Sequence, residues 1–414
     1  MSETTYPKVR IETLADTAPG SFKIGPFGSS LRKEELVSDG IPVVGIENVL
    51  ANKFLPAFRK FITEEKFSQL SQYMIKSGDV LVTTMGTIGR AAVVPDSVDR
   101  TIIDSHLFRM RLDKAKVDPT YLCFAINGYR GVQEEINRMA SGAIMAGLNT
   151  TILKSCSIPL PPLPEQKRIA AILNEQMAEV ERARVAAEHQ LEAAMTLPAA
   201  YLRAVFNSLE AQRWPKRNLG DAGQIRSGVT LGRQVSGART RSVPYLRVAN
   251  VRDGRLDLSN VYQIEATEDE IRKLQLRWGD ILLTEGGDPD KLGRGTFWEE
   301  QLPECIHQNH IFRVRFDSTD FLPQFVSAQI GSSYGKAYFL SHAKQTTGIA
   351  TINQKVLAAF PVMSPPVLEQ RHIVAKLSAQ MATAEWTGTT LEAQLATIKK
   401  LPAALLRRAF SGEL

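Results

Sequence analysis

The sequence predicts an α+β protein in which two pseudo-two-fold-related domains are joined by two long helices that form an antiparallel coiled coil. The first observation is a long duplicated stretch. Leu163–Phe206 returns as Leu368 to Phe410, with Glu165-Gln166 answered by Glu369-Gln370 and Leu197-Pro198-Ala199-Ala200 by Leu401-Pro402-Ala403-Ala404, each 204 positions on. An unchanged offset means that no residue was gained or lost between those points, as expected where length is the working property. The second observation is that the regions ahead of the two stretches also echo one another, motif by motif and in order. The third is periodicity: steps of four and three in the duplicated stretches, short apolar runs or alternation elsewhere. The predicted boundaries are 1–160 for the first domain, 161–207 for its helix, 208–364 for the second domain and 365–414 for the second helix.

Taken along the chain, Tyr6-Pro7-Lys8 answers Trp214-Pro215-Lys216, and Phe27-Gly28-Ser29 answers Ser227-Gly228-Val229. Ile41-Pro42-Val43-Val44 with Asn48-Val49 answers Val243-Pro244-Tyr245-Leu246 with Asn250-Val251. Asp79–Thr83 and Asp280–Thr284 are apolar runs opened by a Gly-Asp turn, which predicts buried strands. Phe108, Met110 and Leu112 alternate with Arg109 and Arg111, as Phe312, Val314 and Phe316 do with Arg313 and Arg315. That alternation predicts strands with one wet, basic face. One helical stretch per domain is expected, near Pro119–Ile136 and Pro323–Phe339. Ser208–Arg213 is the expected linker.

In the first duplicated stretch, Ile169, Leu173, Gln176, Val180, Ala183, Ala187, Gln190, Ala194 and Leu197 form a seam of about four heptads. In the second, the seam runs through Ile373, Leu377, Gln380, Ala384, Thr387, Leu391, Gln394, Ile398 and Leu401, so its two polar positions recur. Pro161, Pro162 and Pro164 fix an extended approach and put Glu165 in the first turn, where a carboxylate suits the helix dipole. Glu165 to Leu197 would span roughly 50 Å. Pairing the stretches about Ala183 and Thr387 sets Ile169 against Leu401, Gln176 against Gln394 and Gln190 against Gln380, so that facing amides fix the register. Thr387-Gly388-Thr389-Thr390 is a poor helix run, expected to fray or bend. Charges on the first helix nearly cancel, so its outer face suits protein partners better than phosphates.

The 414 residues suffice for two cores, and a composition 43% hydrophobic and 23% charged is ordinary for globular proteins. No apolar run approaches a membrane span and MSETTYPKVR has no signal-like core, so a cytoplasmic location with no membrane partner is expected. Cys123, Cys156 and Cys305 lack CxxC spacing and read as buried thiols. The formal charge of +6 allows a nucleic-acid partner without requiring one.

No catalytic set emerges. Gly331-Ser332-Ser333-Tyr334-Gly335-Lys336 is one residue short of a phosphate loop and is followed by Ala337. Both Pro-Pro pairs sit at helix starts, not in a methyltransferase strand motif. No Asp/Glu-x-Lys follows Pro95-Asp96 or Pro289-Asp290 at nuclease spacing. Cys305-x-His307-x-x-His310 has zinc-like spacing but no fourth ligand, and the first copy has Thr101, Ile103 and His106 there, so no metal is expected.

Binding remains. Glycine-rich turns at predicted strand ends let a ligand approach the backbone, beside hydroxyls, amides and arginines that suit phosphates and base edges. The candidate DNA-binding residues are Gly28, Ser29, Ser30, Asn48, Thr83, Thr84, Met85, Gly86 and Arg90 in the first domain. In the second they are Gly228, Thr230, Arg247, Asn250, Glu285, Gly287, Lys291 and Arg294.

On the two Pro-Pro-x-x-Glu-Gln helix starts, Asn149 and Ile352-Asn353 ahead of them, the Gly-Asp-Val/Ile-Leu strands and the closing Arg407-Arg408-Ala409-Phe410-Ser411-Gly412, the whole chain resembles the specificity (S) subunits of Type I restriction-modification enzymes. The resemblance implies two target-recognition domains, each reading half of a bipartite, interrupted site in double-stranded DNA. It also implies helices that act as spacer and dock two methyltransferase (M) subunits, with motor-nuclease (R) subunits joining through M. It implies no catalytic residue here; S-adenosylmethionine, ATP and magnesium are expected on the partner subunits. Pro365-Pro366-Val367-Leu368 lacks a counterpart of Pro164, which leaves the start of the second helix open. Two other readings compete: an independent DNA-binding regulator, and a protein-only coiled-coil adaptor.

Overall fold

The computed structural model describes residues 6–140, 150–233, 239–287, 292–346 and 349–414. Two compact units emerge, Met1–Glu188 with Ala393–Leu414, and His189–Glu392.

The first unit uses strands β1 (Lys8–Arg10), β2 (Phe22–Ile24), β3 (Ile41–Val44), β4 (Val80–Thr83), β5 (Ala91–Val93), β6 (Ile102–Ile103), β7 (Leu107–Met110) and β8 (Ser157–Pro159). An antiparallel sheet runs β2-β7-β4-β5, β3 lies parallel to β6, and β1 pairs with β8. The Gly-Asp turn works as expected at β4. Gly78 takes φ +82, Asp79 accepts the Lys76 amide at 2.9 Å, and every residue of Val80–Thr83 is buried. Both sheet faces are covered, which is why this strand is a run and not an alternation. Val80, Val82, Phe108 and Met110 pack with Tyr121 and Phe124, whereas Leu81, Ala92 and Leu107 join Val44 and Ile103 in a separate cluster.

Double coverage overturns the expected wet, basic face of β7. Arg109 is 3% exposed, its Nη1 donating to the carbonyls of Gln72 and Met74 and its Nη2 to that of Gly20. Arg111 grips the Asp79 carboxylate with Nε at 3.0 Å and Nη2 at 2.9 Å. These arginines are internal struts. The alternation was real, but another layer lies over its polar side.

The second unit repeats the plan with β9 (Lys216–Asn218), β10 (Gly223–Ser227), β11 (Thr240–Leu246), β12 (Ile281–Thr284), β13 (Gly295–Phe297), β14 (Ile306–His307), β15 (Ile311–Phe316) and β16 (Pro361–Met363). Its sheet runs β10-β15-β12-β13, β11 lies parallel to β14, and β9 pairs with β16. Arg313 is 1% exposed, and Arg315 grips Asp280 at 2.7 and 2.6 Å. Ladder register corrects one echo: Phe108 pairs with Ile24 and Phe312 with Ser227, so Gly228 occupies the place of Gly25 and not of Gly28. Both glycines permit a close crossing, since a Cβ there would stand 1.9 Å from the Asp104 oxygen or 1.8 Å from the His307 oxygen.

Each expected helical stretch is a pair, Pro119–Gly128 with Arg130–Ala140 and Pro323–Gly331 with Ser333–His342, split by extended Tyr129 and Ser332. Ser208–Arg213 is no slack linker: the Ser208 hydroxyl accepts the Ala211 amide, Ala211 is buried and Ala211–Arg213 makes a short 3-10 turn.

The first long helix, Leu163–Phe206, is unbroken, with Pro198 inside. The second begins at Val367, matching Leu163 at the same offset, and runs to Ile398; a separate helix follows over Leu401–Ser411. The predicted fraying at Thr387–Thr390 does not occur. Thr387, Thr389 and Thr390 each donate their hydroxyl to the carbonyl four residues back, so these polar groups are satisfied within the helix. The interruption lies instead at Lys399-Lys400.

Each start is bolted to its own unit by the Glu-Gln pair. Gln166 is fully buried, its Oε1 accepting the Asp118 amide and its Nε2 donating to the Lys116 and Pro161 carbonyls. Gln370 does the same with Leu322, Asp320 and Pro365. Glu165 accepts from the Tyr6 hydroxyl and Glu369 from the Trp214 indole.

The seam departs from the expected heptads. Gln190 and Gln394 are exposed, while Leu191 is half-buried and Leu395 buried. Ala187, Ala194, Leu377 and Ala384 are buried as expected, so the seam holds there and moves one position on only at the second glutamine of each helix. Register differs too. In the first unit Lys399 meets Glu188 at 3.7 Å, and Gln176 lines a groove with Ile172, Val180, Leu401 and Leu405. The expected pairing put Leu401 opposite Ile169 and Gln176 opposite Gln394. The Gln176 Oε1 is instead buried without a hydrogen-bond partner.

Candidate nucleic-acid interface

In each unit the ends of five strands form one rim, because backbone hydrogen bonds tie their turns together. In the first, Gly25 donates to the Leu107 carbonyl at 3.1 Å, Thr84 to His106 at 2.8 Å and Asp104 to Val44 at 2.9 Å. In the second, Val229 donates to His307 at 3.0 Å, Glu285 to His310 at 2.9 Å and Gln308 to Leu246 at 2.9 Å.

The predicted residues divide into frame and surface. Asn48 and Asn250 are corrected: both are buried and spend their amides on their own loops. Asn48 accepts from Gly45 and donates to Leu55 and Ala57; Asn250 accepts from Arg247 and donates to Asp257 and Asn260. Nothing is left for a base edge. Thr83 and Thr84 are buried as well, the Thr83 hydroxyl accepting the Arg90 amide at 3.0 Å and donating to the Thr87 carbonyl. Gly86 and Gly89, at φ +71 and +79, turn that loop. Gly287 is not in an open loop, since Gly286–Gly287 is a short strand paired with Thr351 and Ala350. Gly228 serves the crossing described above. Lys291, the Ser29 side chain and Asn149 lie outside the described residues.

Gly28, Ser30, Met85 and Thr230 are exposed, and Arg90, Arg247, Glu285 and Arg294 half-buried. Gly28 stands at φ +55 with open space where a Cβ would be, so its backbone conformation alone calls for glycine. Arg247 stacks on the Tyr262 ring, its guanidinium carbon 3.4 Å from the centroid. The Nε atoms of Arg247 and Arg294 are buried without hydrogen-bond partners among the described residues. Glu285 faces the His310 imidazole at 2.6 Å.

Sequence reasoning missed Phe27, 59% exposed beside Gly28, and Lys60, which lies 3.0 Å from Asp104 and 3.5 Å from Glu47. Burial alone would lower the Lys60 pKa, but the two carboxylates hold it above the ordinary value. Phe27 was findable as an aromatic inside a glycine turn; Lys60 gave no signal, because only the fold brings it to Asp104. Cys305 and His307 are fully buried and His310 is engaged with Glu285; among the described residues no metal-ligating cluster forms. Burial pushes the Cys305 thiol up to about 12 and, helped by Arg313, the His307 imidazole down to about 4.

Two copies of one α+β unit, each presenting a rim of turns with guanidinium, hydroxyl and apolar groups, define a repeat protein built for binding. Residues 22–187 match the family model described as Type I restriction modification DNA specificity domain. Over that stretch the chain is similar to the specificity subunits of Type I restriction-modification enzymes, the family of the resemblance. It is 25% identical to the Type I restriction enzyme EcoKI specificity subunit of Escherichia coli K12, over 68% of this chain and 63% of that one, so just under two thirds of that relative is spanned. It is 24% identical to the StySPI specificity subunit of Salmonella potsdam, over 94% of this chain and 86% of that one. The fold is shared with the HsdS subunit from Thermoanaerobacter tengcongensis, at TM-score 0.64 and 19% identity, covering 99% of this chain and 97% of that one. It is shared also with a chain from a study of complex assembly and conformational transition of the type I R-M system, at TM-score 0.70 and 19% identity with full coverage of both. No helix among the described residues is long and apolar enough to cross a membrane.

Proposed function

We propose that this chain is the non-catalytic DNA-specificity subunit of a Type I restriction-modification complex, in which each unit reads one half of a bipartite, interrupted site in double-stranded DNA. The observation that carries this is a duplicated frame with a diverged rim. Arg-Asp struts, asparagine staples and glutamine bolts recur position by position, while the sequences that follow β4 and β12 differ, Thr84-Met85-Gly86-Thr87 against Glu285-Gly286-Gly287-Asp288. Such a pattern fixes where a reading surface lies and leaves free what it reads. The long helices would set the distance between half-sites and offer nearly charge-balanced outer faces to two methyltransferase subunits, through which motor-nuclease subunits join. S-adenosylmethionine, ATP and magnesium would reside on those partners. The test is to map methylated adenines in the host genome before and after deleting this gene. Loss of one interrupted motif is expected. An unchanged methylome, with no methyltransferase copurifying, would leave a regulator or an adaptor as the better account.

A further inference from the structure

Each unit carries a second polar feature, on the sheet face away from the main core. In the first unit Pro19, Gly20, Lys23, Gln72, Lys76, Arg109 and Arg111 line a pocket of about 490 Å³. Four of those side chains are cations; Arg109 and Arg111 share the one buried carboxylate, Asp79, with Asp16 near Arg111, and the Lys23 ammonium donates to the neutral Gln72 amide oxygen. A strut needs one arginine and one aspartate, and Arg111 with Asp79 already provides it. Arg109 satisfies three backbone carbonyls, and its buried Nε has no hydrogen-bond partner among the described residues, standing 4.0 Å from the already shared Asp79 carboxylate. Lys23 and Lys76 have no ion pair among the described residues.

The second unit rebuilds this cluster at matching places. Arg226 pairs across the sheet with Arg313 as Lys23 does with Arg109. The Arg277 amide donates to Asp280 at 2.8 Å as the Lys76 amide does to Asp79 at 2.9 Å. Arg315 grips Asp280 as Arg111 grips Asp79. The Arg313 Nε is again buried and unpartnered. Burial, joined by the charges of Arg315, Arg226 and Arg277, lowers the Arg313 pKa to about 10, so those cations crowd it more than Asp280 compensates. Two positions exchange lysine for arginine between copies. Positive charge is therefore what both copies keep, at a standing repulsive cost, although the shape of the group differs.

We propose that each unit holds a phosphate-class oxyanion site, formed by Lys23, Lys76, Arg109 and Arg111 in the first and by Arg226, Arg277, Arg313 and Arg315 in the second. An oxyanion seated in the pocket relieves the repulsion. Lys23, Arg109, Arg226 and Arg313 lie on strands that carry the rim, close behind their rim ends, whereas Lys76 and Arg277 lie in the turns before β4 and β12, at the ends away from the rim. A backbone phosphate of a duplex read at the rim fits this chemistry, an assignment that rests on the DNA-reading function; free phosphate fits it without that function.

The test uses the full-length chain and two probes. Orthophosphate is titrated against chloride at matched ionic strength while the thermal midpoint is followed. A saturable rise is expected, weakened in Lys23→Met/Lys76→Met and in Arg226→Met/Arg277→Met, and kept in the charge-preserving Lys23→Arg/Lys76→Arg. A random-sequence duplex is then titrated across salt concentrations. A slope of log K against log salt lower by about one for each methionine pair identifies a DNA phosphate. An unchanged slope with a lost orthophosphate effect identifies a free anion. No saturable orthophosphate effect together with unchanged slopes overturns the proposal. Absence of any duplex binding by the unaltered chain counts against the DNA reading alone, because the orthophosphate arm still decides the site.

Discussion

His307 carries the clearest pH signature at the level of single residues. Its ring is fully buried, with Nδ1 3.1 Å from the Ile311 carbonyl and Nε2 without a partner, and its pKa lies near 4. Unfolding returns the imidazole to its ordinary value of about 6.5, so between those values the unfolded chain binds more protons. The stability this neutral ring permits at neutral pH is therefore lost as pH falls from about 6.5 toward 4, on the order of 3 kcal/mol in full. Ile103 stands at the matching place in the first copy, which makes His307→Ile the natural probe. Its unfolding midpoint should vary less between about pH 7 and pH 4 than that of the unaltered chain; equal acid sensitivity would contradict the assignment. Alanine at Asn48 or Asn250 should cost about 1–3 kcal/mol by stranding buried backbone groups, without altering the salt slope of duplex binding. Alanine at Arg90 or Arg294 should do the reverse. Each should weaken duplex binding by about 1–3 kcal/mol if it reads a base, or lower the slope by about one if it meets phosphate. Unchanged binding at both would place these loops away from DNA.

At the level of elements, the glutamine bolts make the sharpest case. Gln370→Leu removes three hydrogen bonds and strands the Leu322 amide, so a loss on the order of 3 kcal/mol is expected, seen as faster hydrogen exchange in the first turns after Val367. Unaltered exchange there would show that the proline approach alone holds the helix. The Glu165-Gln166 echo was legible in the sequence as a helix start, but its reason was not, because the groups that Gln166 satisfies lie some 50 residues earlier at Lys116 and Asp118. The buried strands after Gly78 and Gly279 were legible because a turn and an apolar run are local. Whether Arg109 faces water depends on a second layer that no local pattern records, and the β7 forecast failed there. Helix register failed for a different reason: Gln176 lies beside Leu401 and Leu405 and not Gln394, an axial slide of several residues that the repeat of the two glutamines does not record.

For the whole molecule, the duplication makes the halves separable in reading though not in construction. Replacing residues 1–160 with the corresponding domain of another such subunit should change one half of the methylated motif and leave the other intact. A change in both halves, or in neither, would contradict independent reading.

Construction is another matter, because Leu406, Ala409 and Phe410 belong to the core of the first unit, with Phe410 edge-on to Tyr121 and Tyr129. A ribosome that has finished the domain before residue 160 must add roughly 250 more residues, about 12–50 s at ordinary elongation rates, before that plug emerges. Until then the apolar seat at Tyr121, Gly128 and Tyr129 stands open, and a chaperone or protease has time to find it. Deleting residues 401–414 should therefore leave nascent and mature chains equally vulnerable, with proteolysis concentrated in the first unit. The first unit's core is thus closed by a segment more than 240 residues beyond the end of its own domain, so its stability depends on chain made long after the domain itself.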